Sequence, residues 1–94
     1  MLPEQEIQLE INRVNNEIKS ALITQLGQLK WSNCDWARAA NKRYSTLSEF
    51  AGKNGNYETN TLIENSYYVG CRVVILIEPY SFRGHTPEPK PPKK

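Results

Sequence analysis

Tyr67-Tyr68-Val69-Gly70-Cys71-Arg72-Val73-Val74-Ile75-Leu76-Ile77 is the stretch on which the fold class turns. Its β-branched and aromatic side chains favour a strand by propensity alone. Its surroundings favour a helix. Thr61 followed by Glu64 has capping-box spacing, Pro79 closes the segment, and the intervening length exceeds that of an ordinary strand. A lone strand or hairpin would also leave unpaired edges, whereas a helix satisfies its own backbone. The expectation is an all-α chain with two long helices plus a shorter connecting helix, in an oligomeric hairpin or bundle. The alternative is an α+β chain with two helices and a β-hairpin.

Working outward, residues 3–30 place Ile7, Ile11, Val14, Ile18 and Ala21 at a 4-3-4-3 spacing, one stripe of a helix. Pro3 suits a first helical position, and Glu4, Glu6 and Glu10 lie where the helix dipole favours anions. Beyond Ile18 the stripe drifts to Leu22, Leu26 and Leu29, which interrupts a strict heptad and argues against a regular coiled coil. Gly27 weakens the last turn. Ser32, Asn33 and Asp35 are candidate N-caps for a second helix over about 35–51, with Trp36, Ala40, Tyr44, Leu47 and Ala51 on one face. Gly52 is placed as its stop, and Asn54-Gly55 is a turn dipeptide. Residues 83–94 hold four of the six prolines and no apolar anchor, so the domain spans residues 1–82 and the remainder is expected to be a disordered Pro/Lys-rich tail.

At 94 residues the chain has room for one domain with a small core. Its composition, 38% hydrophobic and 23% charged with net charge +2, is that of ordered globular protein. No apolar run reaches the roughly 18 residues a membrane span needs, and the start is acidic where a targeting peptide would be basic. A soluble, cytoplasmic protein without membrane association is expected. Cys34 and Cys71 stand without a CxxC or a nearby histidine, so both are read as reduced and structural.

Charge is unevenly spread. Residues 1–29 have four acids against two bases, and residues 30–53 five bases against two acids. In that middle segment Arg38, Lys42 and Arg43 interleave with Trp36 and Tyr44, the mixture of cations and stacking faces that suits phosphate-bearing aromatic ligands. Arg38 and Lys42, four apart, should share a helix face. Tyr67 and Tyr68 add further rings. The competing reading puts the aromatics in the core and the cations in solvent. Specific DNA binding is not expected, because the pI is only mildly basic and no DNA-reading motif is present.

Catalytic constellations are missing from the sequence. His85 is the only histidine and falls in the tail, no glycine-rich phosphate loop is present, and Glu58, Glu64 and Glu78 are better explained as capping or solvated groups. The chain reads as a non-enzyme without cofactor or metal. Val73-Val74-Ile75-Leu76-Ile77 is apolar all round, more than so small a chain can cover, which points to a homo-oligomer.

Glu6-Ile7-x-Leu9, Asn12-Arg13-Val14 and Leu22-Ile23-x-x-Leu26, followed by Thr61-x-Ile63-Glu64-x-Ser66-Tyr67-Tyr68, Arg72-Val73-Val74 and Pro79-x-x-Phe82, resemble the helical-hairpin phage proteins that sequester cyclic oligonucleotide immune signals. Residues 31–56 depart from that pattern, so no binding residue is carried over from the family. The resemblance implies an all-helical oligomer, an anti-defence sponge, that holds a small anionic nucleotide-like ligand without cleaving it. Arg38, Lys42 and Arg43 would then meet phosphates while Trp36, Tyr44, Tyr67 and Tyr68 stack on bases. The alternative is a small protein-protein inhibitor or adaptor that docks on a host protein through an apolar helix.

Overall fold

The computed structural model describes residues 2–52 and 57–90. Among these residues there are four helices and no strand: α1 (Pro3–Leu29), α2 (Asn33–Ala40), α3 (Tyr44–Gly52) and α4 (Thr59–Tyr67). The all-α expectation holds in its coarse form. The finer picture of two long helices does not, because α1 alone is long, at 27 residues, and the others have eight or nine.

α1 starts where the sequence indicates. Pro3 is its first residue, the Gln5 side chain accepts the Leu2 N–H at 3.1 Å, and Glu4 and Glu6 sit in the first turn. Further along, Arg13 bridges Glu10 at 2.7 Å and Glu17 at 2.9 Å, which raises the pKa of its guanidinium. At α2, Ser32 is the N-cap among the three candidates. Its hydroxyl accepts the Asp35 N–H, and Asp35 accepts the Ser32 N–H at 2.8 Å. That backbone bond, followed by the Ser32 hydroxyl, holds the Asp35 carboxyl below the usual carboxylate range.

The ends of α1, α2 and α4 share one device. Lys30, Asn41 and Gly70 adopt positive φ of 58°, 55° and 76°. The next N–H in each case folds back five residues: Trp31 to Leu26 O, Lys42 to Ala37 O, and Cys71 to Ser66 O. Two sequence expectations are corrected by it. The single helix over 35–51 is broken at Asn41, a residue whose short amide side chain tolerates the left-handed conformation. The helix expected through Tyr67 to Ile77 stops at Tyr67, because Gly70 turns the chain away. α4 also begins at Thr59, so the Thr61–Glu64 spacing does not mark its start. α3 ends at Gly52 as expected, and Asn54-Gly55 lies outside the described residues.

The core gathers Leu22 of α1, Trp36, Ala37 and Ala40 of α2, Leu47 and Phe50 of α3, Leu62 of α4, and Val69. Phe50 meets Trp36 edge-on at 5.8 Å between ring centroids and Tyr57 at 5.2 Å. The Gln25 amide donates to Val69 O at 2.8 Å, fastening the α4 turn to α1. All of this occupies the C-terminal half of α1. The N-terminal half carries no core residue. Residues 71–84 leave Gly70 without regular secondary structure and return along that half, where the Glu6 carboxylate accepts the N–H groups of Arg83 (3.0 Å) and Gly84. The expected tail is thus docked at its first two residues, and Lys93 and Lys94 lie outside the description.

Candidate functional site

The seven residues proposed for ligand contact from the sequence fall into three environments. Trp36 is 1% exposed, and its indole N–H donates to Asn65 O at 2.9 Å. The carbonyls of the last turn of a helix lack intrahelical donors, so this bond caps the C-terminus of α4. With both faces enclosed, Trp36 has no surface on which a base could stack. Its place in the proposed site is corrected to a place in the core.

Lys42 also serves the fold. Its ammonium donates to Asn65 Oδ1 at 2.7 Å and pairs with Glu64 at 3.1 Å, with only 22% of the side chain exposed. A cation at the C-terminus of α4 is favoured by the helix dipole, and here it also satisfies a buried amide. Arg38 and Lys42 share no helix face, since Asn41 ends α2 between them. Tyr68 is half-buried against the core and meets Tyr67 edge-on at 5.3 Å.

The remaining residues face solvent. Arg38 has 80% of its side chain exposed and approaches Asp35 at 3.8 Å. Arg43, Tyr44 and Tyr67 are exposed as well. The free surface left to an anion is therefore the α2–α3 turn, with Arg38 before it and Arg43 and Tyr44 after it. One cleft of about 370 Å³ lies between α1 and the α2–α3 pair, and its lining is apolar for the most part, with Leu22, Ile23, Leu26, Trp36 and Ala51. None of the expected cations lines it. Burial in this region pushes the Tyr57 phenol up from its ordinary value.

A second surface is larger and apolar. Ile7, Leu9, Ile11 and Val14 on the N-terminal half of α1 are 39–59% exposed, and Val74, Ile75, Leu76 and Ile77 are 67–91% exposed. The first three members of the stripe that announces α1 in the sequence, Ile7, Ile11 and Val14, are thus left open by this chain, whereas Ile18 packs against the core and the drift to Leu22 and Leu26 marks the face that enters it. Periodicity identifies a helix without saying what covers it. Asn65, buried and bonded to Lys42, was not singled out from the sequence, and nothing in its local pattern distinguishes it from a solvent-facing asparagine. Glu6, which clamps residues 83 and 84, is in the sequence a first-turn acid and part of the Glu6-Ile7-x-Leu9 resemblance, and neither feature signals the clamp.

Both cysteines are free. Cys71 is half-buried beside the core, whereas Cys34 is exposed, against the expectation that both are structural. No helix of the described residues is long and apolar enough to cross a membrane. Compared with known proteins, the chain matches no family model, no curated protein and no solved structure.

Proposed function

We propose that this chain is a non-catalytic binding protein that docks on a partner protein through the N-terminal half of α1. The carrying observation is the open stripe Ile7, Ile11 and Val14 on a part of the helix that contributes nothing to the core. Helices presented in this way fit an apolar groove, with anchors spaced three and four residues apart. Glu4, Glu6, Glu10 and Glu17 accompany the stripe along α1 against Arg13 and Lys19, a net negative charge that a groove with a basic rim complements.

The test uses the full chain as bait in an extract of its host. Ile7→Lys with Ile11→Lys places two charges in the docking face without touching the core. It is expected to weaken capture of a stoichiometric protein by at least about 100-fold, as burial of unpaired charges requires. Undiminished capture by a variant with parental helicity overturns the reading.

A second reading is supported by the cations the fold does not use. Arg38, Arg43 and Tyr44 are open to a small anionic nucleotide-like ligand, in keeping with the resemblance to phage proteins that sequester cyclic oligonucleotides. In this form the site has lost Trp36 and Lys42. Native mass spectrometry of the gently purified chain separates the two readings. Excess mass of a nucleotide-like ligand that disappears in Arg38→Ala with Arg43→Ala favours sequestration, and a bare chain favours the docking helix.

A further inference from the structure

Residues 72–78 have the properties of a strand without a sheet. No backbone hydrogen bond joins residues 72–82 to any other described residue. Four consecutive apolar side chains, Val74 to Ile77, are at least two-thirds exposed. Four of the five residues from Val73 to Ile77 are valine or isoleucine, and none of the segment has the positive φ that would bar an extended conformation. An unpaired apolar edge of this kind is a template for another strand.

The sequence of the segment specifies which strand. Read as Arg72-Val73-Val74-Ile75-Leu76-Ile77-Glu78, it is complementary to its own reverse. In an antiparallel pair with a two-fold axis at Ile75, Val74 lies opposite Leu76, Val73 opposite Ile77, and Arg72 opposite Glu78 at both ends. Neither Arg72 nor Glu78 is paired with a described residue of its own chain, and both are exposed. Pro79 then falls opposite Cys71. Antiparallel pairs alternate between hydrogen-bonded and non-hydrogen-bonded positions. If Ile75 occupies a non-hydrogen-bonded pair, so does Pro79, and its missing N–H costs the ladder nothing. The same N–H would have pointed to the outer edge, so the proline also blunts that edge against a third strand.

We infer that this protein self-associates as a dimer through an antiparallel ribbon of residues 72–78, with Arg72 of each copy facing Glu78 of the other. This goes beyond the docking of α1 and does not depend on what α1 binds. A ribbon of seven residues a side is at the small end of interface sizes, so the dissociation constant is expected to be on the order of micromolar.

Sedimentation equilibrium of the full chain under reducing conditions, from about 1 μM to about 1 mM, is expected to show a monomer–dimer equilibrium. Arg72→Glu or Glu78→Arg alone sets like charges opposite each other twice per dimer and is expected to weaken association about tenfold or more. The double variant, Arg72→Glu with Glu78→Arg, restores the pairing and is expected to recover the parental constant. A parent that stays monomeric throughout, a double variant as weak as the single ones, or assemblies that grow past the dimer each overturn the inference. Register is read independently. In a Cys34→Ser, Cys71→Ser background, Ile75→Cys puts two sulfurs across a non-hydrogen-bonded pair, where the Cα separation of about 4.5 Å suits a disulfide. It is expected to cross-link at least about tenfold faster than Val74→Cys, whose copies are staggered, and equal rates overturn the register. None of these changes touches Ile7 or Ile11, so loss of the dimer with partner capture intact separates failure here from failure of the docking reading.

Discussion

Replacing Trp36 with alanine is expected to remove about 3–5 kcal/mol of stability, against a total of about 5–10 kcal/mol for a domain of this size. The loss has two sources. Truncation empties the largest enclosed volume in the core, beside the edge-on Phe50 ring, and it removes the indole donor from Asn65 O at the end of α4. Trp36→Phe separates them in part, because it keeps an apolar ring while giving up the hydrogen bond and the second ring's volume, at a cost of about 1–3 kcal/mol. Urea unfolding followed by far-ultraviolet circular dichroism reads both. A parental midpoint for Trp36→Ala would show that the ring faces solvent, and Trp36 would return to the list of ligand-stacking residues.

Leu47→Ala should rank next, at about 2–5 kcal/mol. Leu47 is 0% exposed, and it is the residue of α3 most completely enclosed by the other helices. Tyr44→Ala, three residues earlier on the same helix but exposed, is expected to change stability by no more than about 0.5 kcal/mol. Calorimetric melting temperatures of the pair test the rotation of α3. A shift of about 8 °C or more for Leu47→Ala with almost none for Tyr44→Ala is the expected pattern, and similar shifts would mean that α3 is turned differently against α2.

Tyr44 and Leu47 also show how far the sequence could be read. The spacing Trp36, Ala40, Tyr44, Leu47, Ala51 predicts one continuous buried face, and Trp36, Ala40 and Leu47 are indeed buried. Tyr44 is not, because the left-handed turn at Asn41 resets the helical phase between Ala40 and Leu47. Periodicity carries through a break of this kind without registering it. The signal was Asn41 itself, after a run of alanines and with two cations behind it. At Gly70 a similar signal is outweighed by the apolar run that follows, which propensity reads as strand and length reads as helix, whereas the chain beyond the left-handed turn at Gly70 forms neither.

Composition was the weaker guide to the site. It selected Trp36 and Lys42 by residue type, whereas the fold uses the first as a core ring and the second as an internal donor to Asn65. Arg38, Arg43 and Tyr44 remain at the surface because the α2–α3 turn places them there. No local pattern could have distinguished these outcomes, since they depend on which residues of α4 lie across from α2.

The clamp between Glu6 and the backbone of residues 83 and 84 bears on the order in which the molecule is completed. A ribosome delivers α1 well before residues 83 and 84, the first of which lies 77 positions beyond Glu6, so the beginning of the helix waits for all of that intervening chain before its flank is closed. Until then the arm is held to the rest of the nascent protein only through its own C-terminal half. Any factor that meets the chain during synthesis therefore encounters Ile7, Ile11 and Val14 before the strap has closed beside them.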